Sequence, residues 1–133
     1  MANIQVGTTN EEKLVVTHDV AINFLGVERG RVLSTPNVIL GLERASRNAV
    51  LPLLDRGYDT VGTHVNVYHL AATPLGMTVT FRTEIVSLEE RRVNFKVEAF
   101  DEKEKIAEGT HQRAIVNVAR FSAKVQEKKA ALR

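Results

Sequence analysis

The chain has 133 residues, 44% apolar and 26% charged, with a net charge of +2 and no cysteine. That length suits a single domain with a real core, while the weak charge and the 5% aromatic content argue against a nucleic-acid partner. The missing cysteines exclude disulfides, a cysteine nucleophile and thiolate metal sites, and the lack of any run of about 18 apolar residues excludes a spanning helix.

The N-terminus lacks the basic-then-apolar order of a signal peptide, so a cytoplasmic protein is expected. From Lys13, K-L-V-V-T-H-D-V-A-I-N-F-L is apolar and β-branched enough for a first strand, bent at His18-Asp19. G-V-E-R-G-R-V-L follows as a loop. Thr35 before Pro36 marks a helix start, since the hydroxyl can cap orphan N–H groups and the proline lacks no needed donor. Val38, Leu42, Ala45 and Ala49 keep helical spacing, Ile39, Leu40 and Val50 widen the apolar side, and Pro52 ends or kinks the helix. A helix so apolar around its circumference is expected to be wrapped rather than laid on a surface.

Strands fill the rest. Residues 60–71 form one after the turn D-R-G-Y-D. Met77, Val79, Phe81, Thr83 and Ile85 alternate with polar residues in the next, as do Val93, Phe95, Val97 and Ala99 in the third. A final strand is expected from Ile106 to Phe121, and the basic stretch 123–133 reads as a frayed, solvated tail. No repeat or linker divides the chain, so residues 1–133 are read as one α+β domain with an antiparallel sheet of about five strands.

Several polar residues stand out against this frame. Glu43 borders the apolar side of the helix; alone, it reads as a surface carboxylate near Arg44 and Arg47. Thr35 lies eight residues earlier, roughly 80° around the helix and about 12 Å along it, so a ligand along that flank could touch both. His69 ends its strand just before the turn A-A-T-P-L-G, where the plain reading is a half-buried histidine bonded to turn backbone. His64 faces the opposite side if the strand is regular, which makes the two a poor metal pair. His18 and His111 receive no role, Arg113 reads as an outward charge, and Gly62 as a bulge or close backbone approach. No phosphate loop, nucleophile elbow or zinc-protease motif occurs.

Three segments carry more: Y-D-T-V-G-T-H, H-L-A-A-T-P-L-G-M-T-V and E-K-I-A-E-G-T-H-Q-R. With them, from T-H-D at Thr17 to the tail F-S-A-K-V-Q-E-K, the chain resembles the hotdog-fold acyl-CoA thioesterases, in particular the fluoroacetyl-CoA thioesterase-like branch. The resemblance implies one long helix wrapped by an antiparallel sheet, a homodimer, and a small-molecule acyl-CoA partner. Coenzyme A would enter as part of the substrate, with no separate cofactor, metal, nucleic acid or membrane. By position, the resemblance makes Thr35, Glu43 and His69 the catalytic group, with Gly62 and Arg113 in support. Glu43 would attack the thioester or draw a proton from water.

A non-catalytic acyl-CoA binder on the same fold is the alternative; such a sensor is expected to carry an output domain, for which 133 residues leave no room. A hydratase ranks last, because nothing resembles an Asp/His hydratase signature. The segment V-A-I-N-F-L-G-V-E-R-G-R-V-L-S has Phe24 as its only aromatic and contains Gly26 and Gly30. It reads as a short mobile connection rather than a packed aromatic cover. In the fluoroacetyl-specific type that the chain resembles, this segment is long and carries an aromatic lid, so the departure implies a general thioesterase that prefers an acyl group other than fluoroacetyl.

Overall fold

A computed structural model describes residues 3–132. Its strands are β1 (Thr9–Val15), β2 (Tyr58–His69), β3 (Thr78–Glu89), β4 (Arg92–Phe100) and β5 (Lys105–Asn117). Its helices are α1 (Thr35–Val50) and α2 (Val118–Ala130). The strands form one antiparallel sheet in the order β1-β3-β4-β5-β2.

The alternation in β3 and β4 decides which face is buried. Val79, Phe81, Thr83 and Ile85 of β3, and Val93, Phe95, Val97 and Ala99 of β4, all point into the core. Onto that face α1 lays Val38, Leu42, Ala45, Ser46, Ala49 and Val50, and it touches all five strands. Each fully buried Leu, Val or Phe in such a layer contributes roughly 1.5–3 kcal/mol. The two buried hydroxyls at the interface satisfy each other, Ser46 Oγ and Thr83 Oγ1 lying 2.8 Å apart. At Gly41 the helix comes closest to the sheet: a Cβ there would fall 2.3 Å from the Phe81 ring, so only a hydrogen fits. The wrapped helix and α+β hotdog arrangement expected from the sequence are therefore present.

β2 runs over Tyr58–His69 rather than 60–71, and four further differences concern β1, α1 and the last strand. The first strand begins at Thr9 rather than Lys13, its exposed face carrying polar residues that hide it from a search for apolar runs. It ends at Val15, and His18–Val20 form a short 3-10 turn instead of a bend within a strand. The cap of α1 is Ser34, whose hydroxyl accepts from Asn37 N at 3.3 Å; Thr35 is the first helical residue, and its own hydroxyl takes no part in the cap. The last strand stops at Asn117, whose side chain accepts from Arg120 N at 3.0 Å and starts α2. Thus most of the stretch expected to fray is helical, while Arg133 lies outside the described residues.

β2 forms one edge of the sheet and pairs only with β5 among the described residues. Its register slips between Gly62 and His64, where Thr63 is an extra, unpaired residue. This bulge changes the parity of the strand. Gly62 and His69 are seven residues apart and would face opposite sides of a regular strand. With the bulge between them, both face α1. His64 lies beyond the bulge, five residues from His69, so alternation turns it to the other side, as expected.

Candidate functional site

Two groups of polar side chains sit between α1 and β2. At the start of α1, Thr35 Oγ1 lies 2.8 Å from Nδ1 of His69. The contact exists because Ser34 takes over the cap, leaving the Thr35 hydroxyl to point at the end of β2. Nε2 of His69 is buried and has no hydrogen-bond partner among the described residues. Burial holds the His69 pKa below its ordinary 6.5, with the Ala71 backbone pulling the other way. The pair lines a cavity of 310 Å³ whose other walls include Ile22, Val32, Leu33 and Ala71. An imidazole, a hydroxyl and a helix N-terminus at a mostly apolar cavity can hold a short acyl group and donate to an oxygen that gains charge.

Two turns along α1, Glu43 meets the second group. Its Oε2 lies 3.6 Å from Nη1 of Arg113, which is buried, while the carboxylate is about one-third exposed at 36%. Arg113 is tied down on three sides. Nε donates to Thr60 Oγ1 at 2.7 Å, Nη2 donates to Thr60 O at 2.9 Å, and Nη1 donates to His111 Nε2 at 3.3 Å. His111 Nδ1 donates to the His64 carbonyl at 2.8 Å, and the ring stacks on Phe95 at 5.8 Å between centroids. A carbonyl only accepts, so the proton is on Nδ1, and Nε2 offers its lone pair to the guanidinium. Burial lowers the pKa of His111, and the adjacent Arg113 charge lowers it further, which favours this neutral form. Burial also pulls Arg113 down, opposed by Glu43 and Asp59.

Gly62 closes this group. A Cβ at that position would stand 2.9 Å from Glu43 Oε2, 3.4 Å from His111 and 3.5 Å from Arg113. The bulge and the close approach anticipated from T-V-G-T-H both occur there. Arg113, expected to point outward, instead faces the helix, because Thr60 and His111 supply the partners that make its burial tolerable. His111 was given no role from sequence, although its spacing of two from Arg113 puts both on one face of β5.

Each expected site residue thus has a contact with another, but in two groups. Thr35 meets His69, and Glu43 meets Arg113 beside Gly62. The groups are separated by about 12 Å along α1 and roughly 20 Å along β2.

Residues 15–119 match the model of the fluoroacetyl-CoA-specific thioesterase family. The fluoroacetyl-CoA thioesterase of Streptantibioticus cattleyicolor is 40% identical over 97 residues, covering 73% of this chain and 70% of that enzyme. A solved structure of a variant of the fluoroacetyl-CoA thioesterase FlK in complex with acetyl-CoA is 33% identical. It superposes with a TM-score of 0.86 over 94% of this chain and 98% of its own. A Thermus thermophilus hypothetical protein of the thioesterase superfamily is 30% identical, with a TM-score of 0.89 over 98% and 97% of the two chains.

Proposed function

The chain belongs to the fluoroacetyl-CoA-specific thioesterase family, and on that footing we propose that it hydrolyses the thioester of small acyl-CoA molecules. What carries the reading is the 2.8 Å contact between Thr35 and His69 at an apolar cavity. The cavity takes the acyl group. The Thr35 hydroxyl and the α1 N-terminus face the carbonyl oxygen as it becomes an oxyanion. Glu43 either attacks the carbonyl, expelling the thiolate and leaving an anhydride that water then hydrolyses, or takes a proton from an attacking water, the departing thiolate gaining that proton by way of His69. Gly62 leaves room for the Glu43 carboxylate, and Arg113 orients it.

Within one chain Glu43 lies too far from the cavity to reach that carbonyl, so the site is read as shared by two copies. β2 is a twelve-residue edge strand without proline, able to pair with the same strand of a partner. An antiparallel pairing about a two-fold axis between Val65 and Asn66 sets Gly62 across from the partner's His69. Glu43 of one copy then faces the Thr35–His69 pair of the other. The bulge at Thr63 supports this reading, because it turns both ends of β2 toward the helices.

A panel of acyl-CoAs assayed for free thiol tests the activity; no thiol release from any member would end the proposal. Sharing is tested by mixing two inactive variants, Glu43→Gln and Thr35→Ala. Re-equilibrated in equal amounts, half the dimers are mixed and carry one intact site, which restores about a quarter of the wild-type rate. A mixture that stays inactive would mean that each site belongs to one chain. The non-catalytic alternative predicts binding of acyl-CoA with no thiol release at all.

A further inference from the structure

Where β5 passes into α2, the turn between β3 and β4 comes alongside, Ile115 N donating to Arg91 O at 2.7 Å. The two segments bound a cleft of 230 Å³ lined by Arg91, Val116, Asn117, Arg120, Phe121 and Lys124. Three of these six are cations and none is a carboxylate. Carboxylates hold some of the cations among the described residues, though not most of them. Arg31, Arg47, Arg82, Lys105 and Arg113 each have a carboxylate partner, at 3.7, 2.7, 3.5, 2.7 and 3.6 Å. Arg91, Arg120 and Lys124 have no such partner among the described residues. Beside them Phe121 is 41% exposed. An open aromatic face among unpaired cations suits a phosphorylated purine, the ring taking the base and the cations its phosphates.

The position of the cleft fits the rest of such a ligand. Val118 N donates to Gly57 O at 2.9 Å, so α2 begins beside the Tyr58 end of β2. In the shared arrangement that end runs along the partner's Leu70, Ala71 and Ala72. These are wall residues of the cavity that also contains Thr35 and His69. A ligand whose acyl group fills that cavity would leave it toward α2 of the opposite copy. We propose that the cleft between Arg91, Arg120, Phe121 and Lys124 binds the 3′-phosphorylated adenosine diphosphate end of coenzyme A, its pantetheine arm reaching the partner's cavity. The inference rests on the shared-site thioesterase reading and adds the residues that hold the nucleotide.

Two substrates separate this claim from the reading beneath it: acetyl-CoA, and the acetyl thioester of N-acetylcysteamine, which has no nucleotide. The double variant Arg120→Glu, Lys124→Glu should raise KM for acetyl-CoA by about tenfold or more, the loss of at least one charge-assisted contact. It should leave kcat, and all constants for the truncated thioester, unchanged. Arg91→Glu, on the opposite wall, should act in the same direction. Adenosine 3′,5′-bisphosphate titrated calorimetrically should bind the wild type, less tightly at higher salt, and fail to bind the double variant. An unchanged KM for acetyl-CoA, an equal loss on both substrates, or bisphosphate binding that survives charge reversal would overturn the proposal. Should the wild type hydrolyse neither substrate, the thioesterase reading falls, and the bisphosphate titration still decides the cleft.

Discussion

The two ends of the α1–β2 seam are built on opposite principles. At the helix start, Thr35 and His69 have one another and little else, and the second ring nitrogen of His69 is buried without a partner. Eight residues on, Arg113 is held by Thr60 and His111, His111 by the His64 carbonyl, and Glu43 meets the result. A group left with spare hydrogen-bonding capacity is ready for a ligand. A group in which each guanidinium nitrogen has a partner keeps one cation in place beside the carboxylate. On the proposed reading, the loosely satisfied half is the one that meets substrate, and the tightly satisfied half serves to aim.

Glu43→Gln is the strongest way to break this division. It keeps the shape of the side chain and removes the charge, and thiol release should fall by about 10²-fold or more. Full turnover in that variant would show that the clamp aims at nothing. Gly62→Ala asks whether aim alone matters. The new methyl would stand 2.9 Å from Glu43 Oε2, the far end of a flexible side chain that can swing aside. Turnover should drop roughly tenfold while the melting temperature barely changes, because the cost falls on position and not on the core. A large loss of stability would instead make Gly62 a folding requirement.

The pH dependence sharpens the same contrast. His111 and His69 both have pKa values lowered below 6.5 in the folded chain, chiefly by burial. The unfolded chain therefore binds more protons, and the stability they contribute is present above about pH 6.5 and lost as pH falls through the folded values. Urea midpoints measured from pH 7.5 downward should decline, and His111→Phe, which keeps the stacking on Phe95, should flatten that decline. An unaltered slope would remove His111 from the clamp's titration. The smallest effect belongs to a pair outside both groups. Arg47 meets Asp59 through two bonds of 3.0 and 2.7 Å near the surface, and Arg47→Ala should cost only about 0.5 kcal/mol. Loss of activity from that variant would mean that the seam is less local than its bonds suggest.

Much of this architecture could be read from residue order, and the failures have physical reasons. β3 and β4 alternate cleanly because one face meets the core and the other meets water. β1 alternates in burial too, but its half-buried face carries Asn10 and Glu12, so no apolar period shows in its sequence. The cap fell one residue early, at Ser34, because serine and threonine side by side are both competent caps and only tertiary contact decides between them. The spacing of Thr35 and Glu43 followed from helix geometry. Its meaning did not, because the two residues join separate groups whose other members, His69 and Arg113, come from distant strands. Arg113 was misjudged for a related reason: an arginine on a strand looks solvated until its partners, here Thr60 and His111, are known to lie on the same side.

The seat of the Phe81 ring against Gly41 has a mechanical meaning as well. A helix lying on a sheet can ride along it, and such sliding would change the distance from Thr35 and Glu43 to everything on β2. A ring lodged where even a methyl carbon would sit at 2.3 Å acts as a pin, and the helix and sheet travel together. Segment 17–34 lies outside that layer and is fastened near its ends by the Ala21–Leu33 and Val32–Pro74 bridges. Its crest, Phe24 and Leu25, stands in solvent at 88% and 64% exposure. Alignment and cover therefore belong to different parts of the chain: a pinned layer that holds spacing constant, and a tethered segment whose Ile22 and Val32 line the cavity.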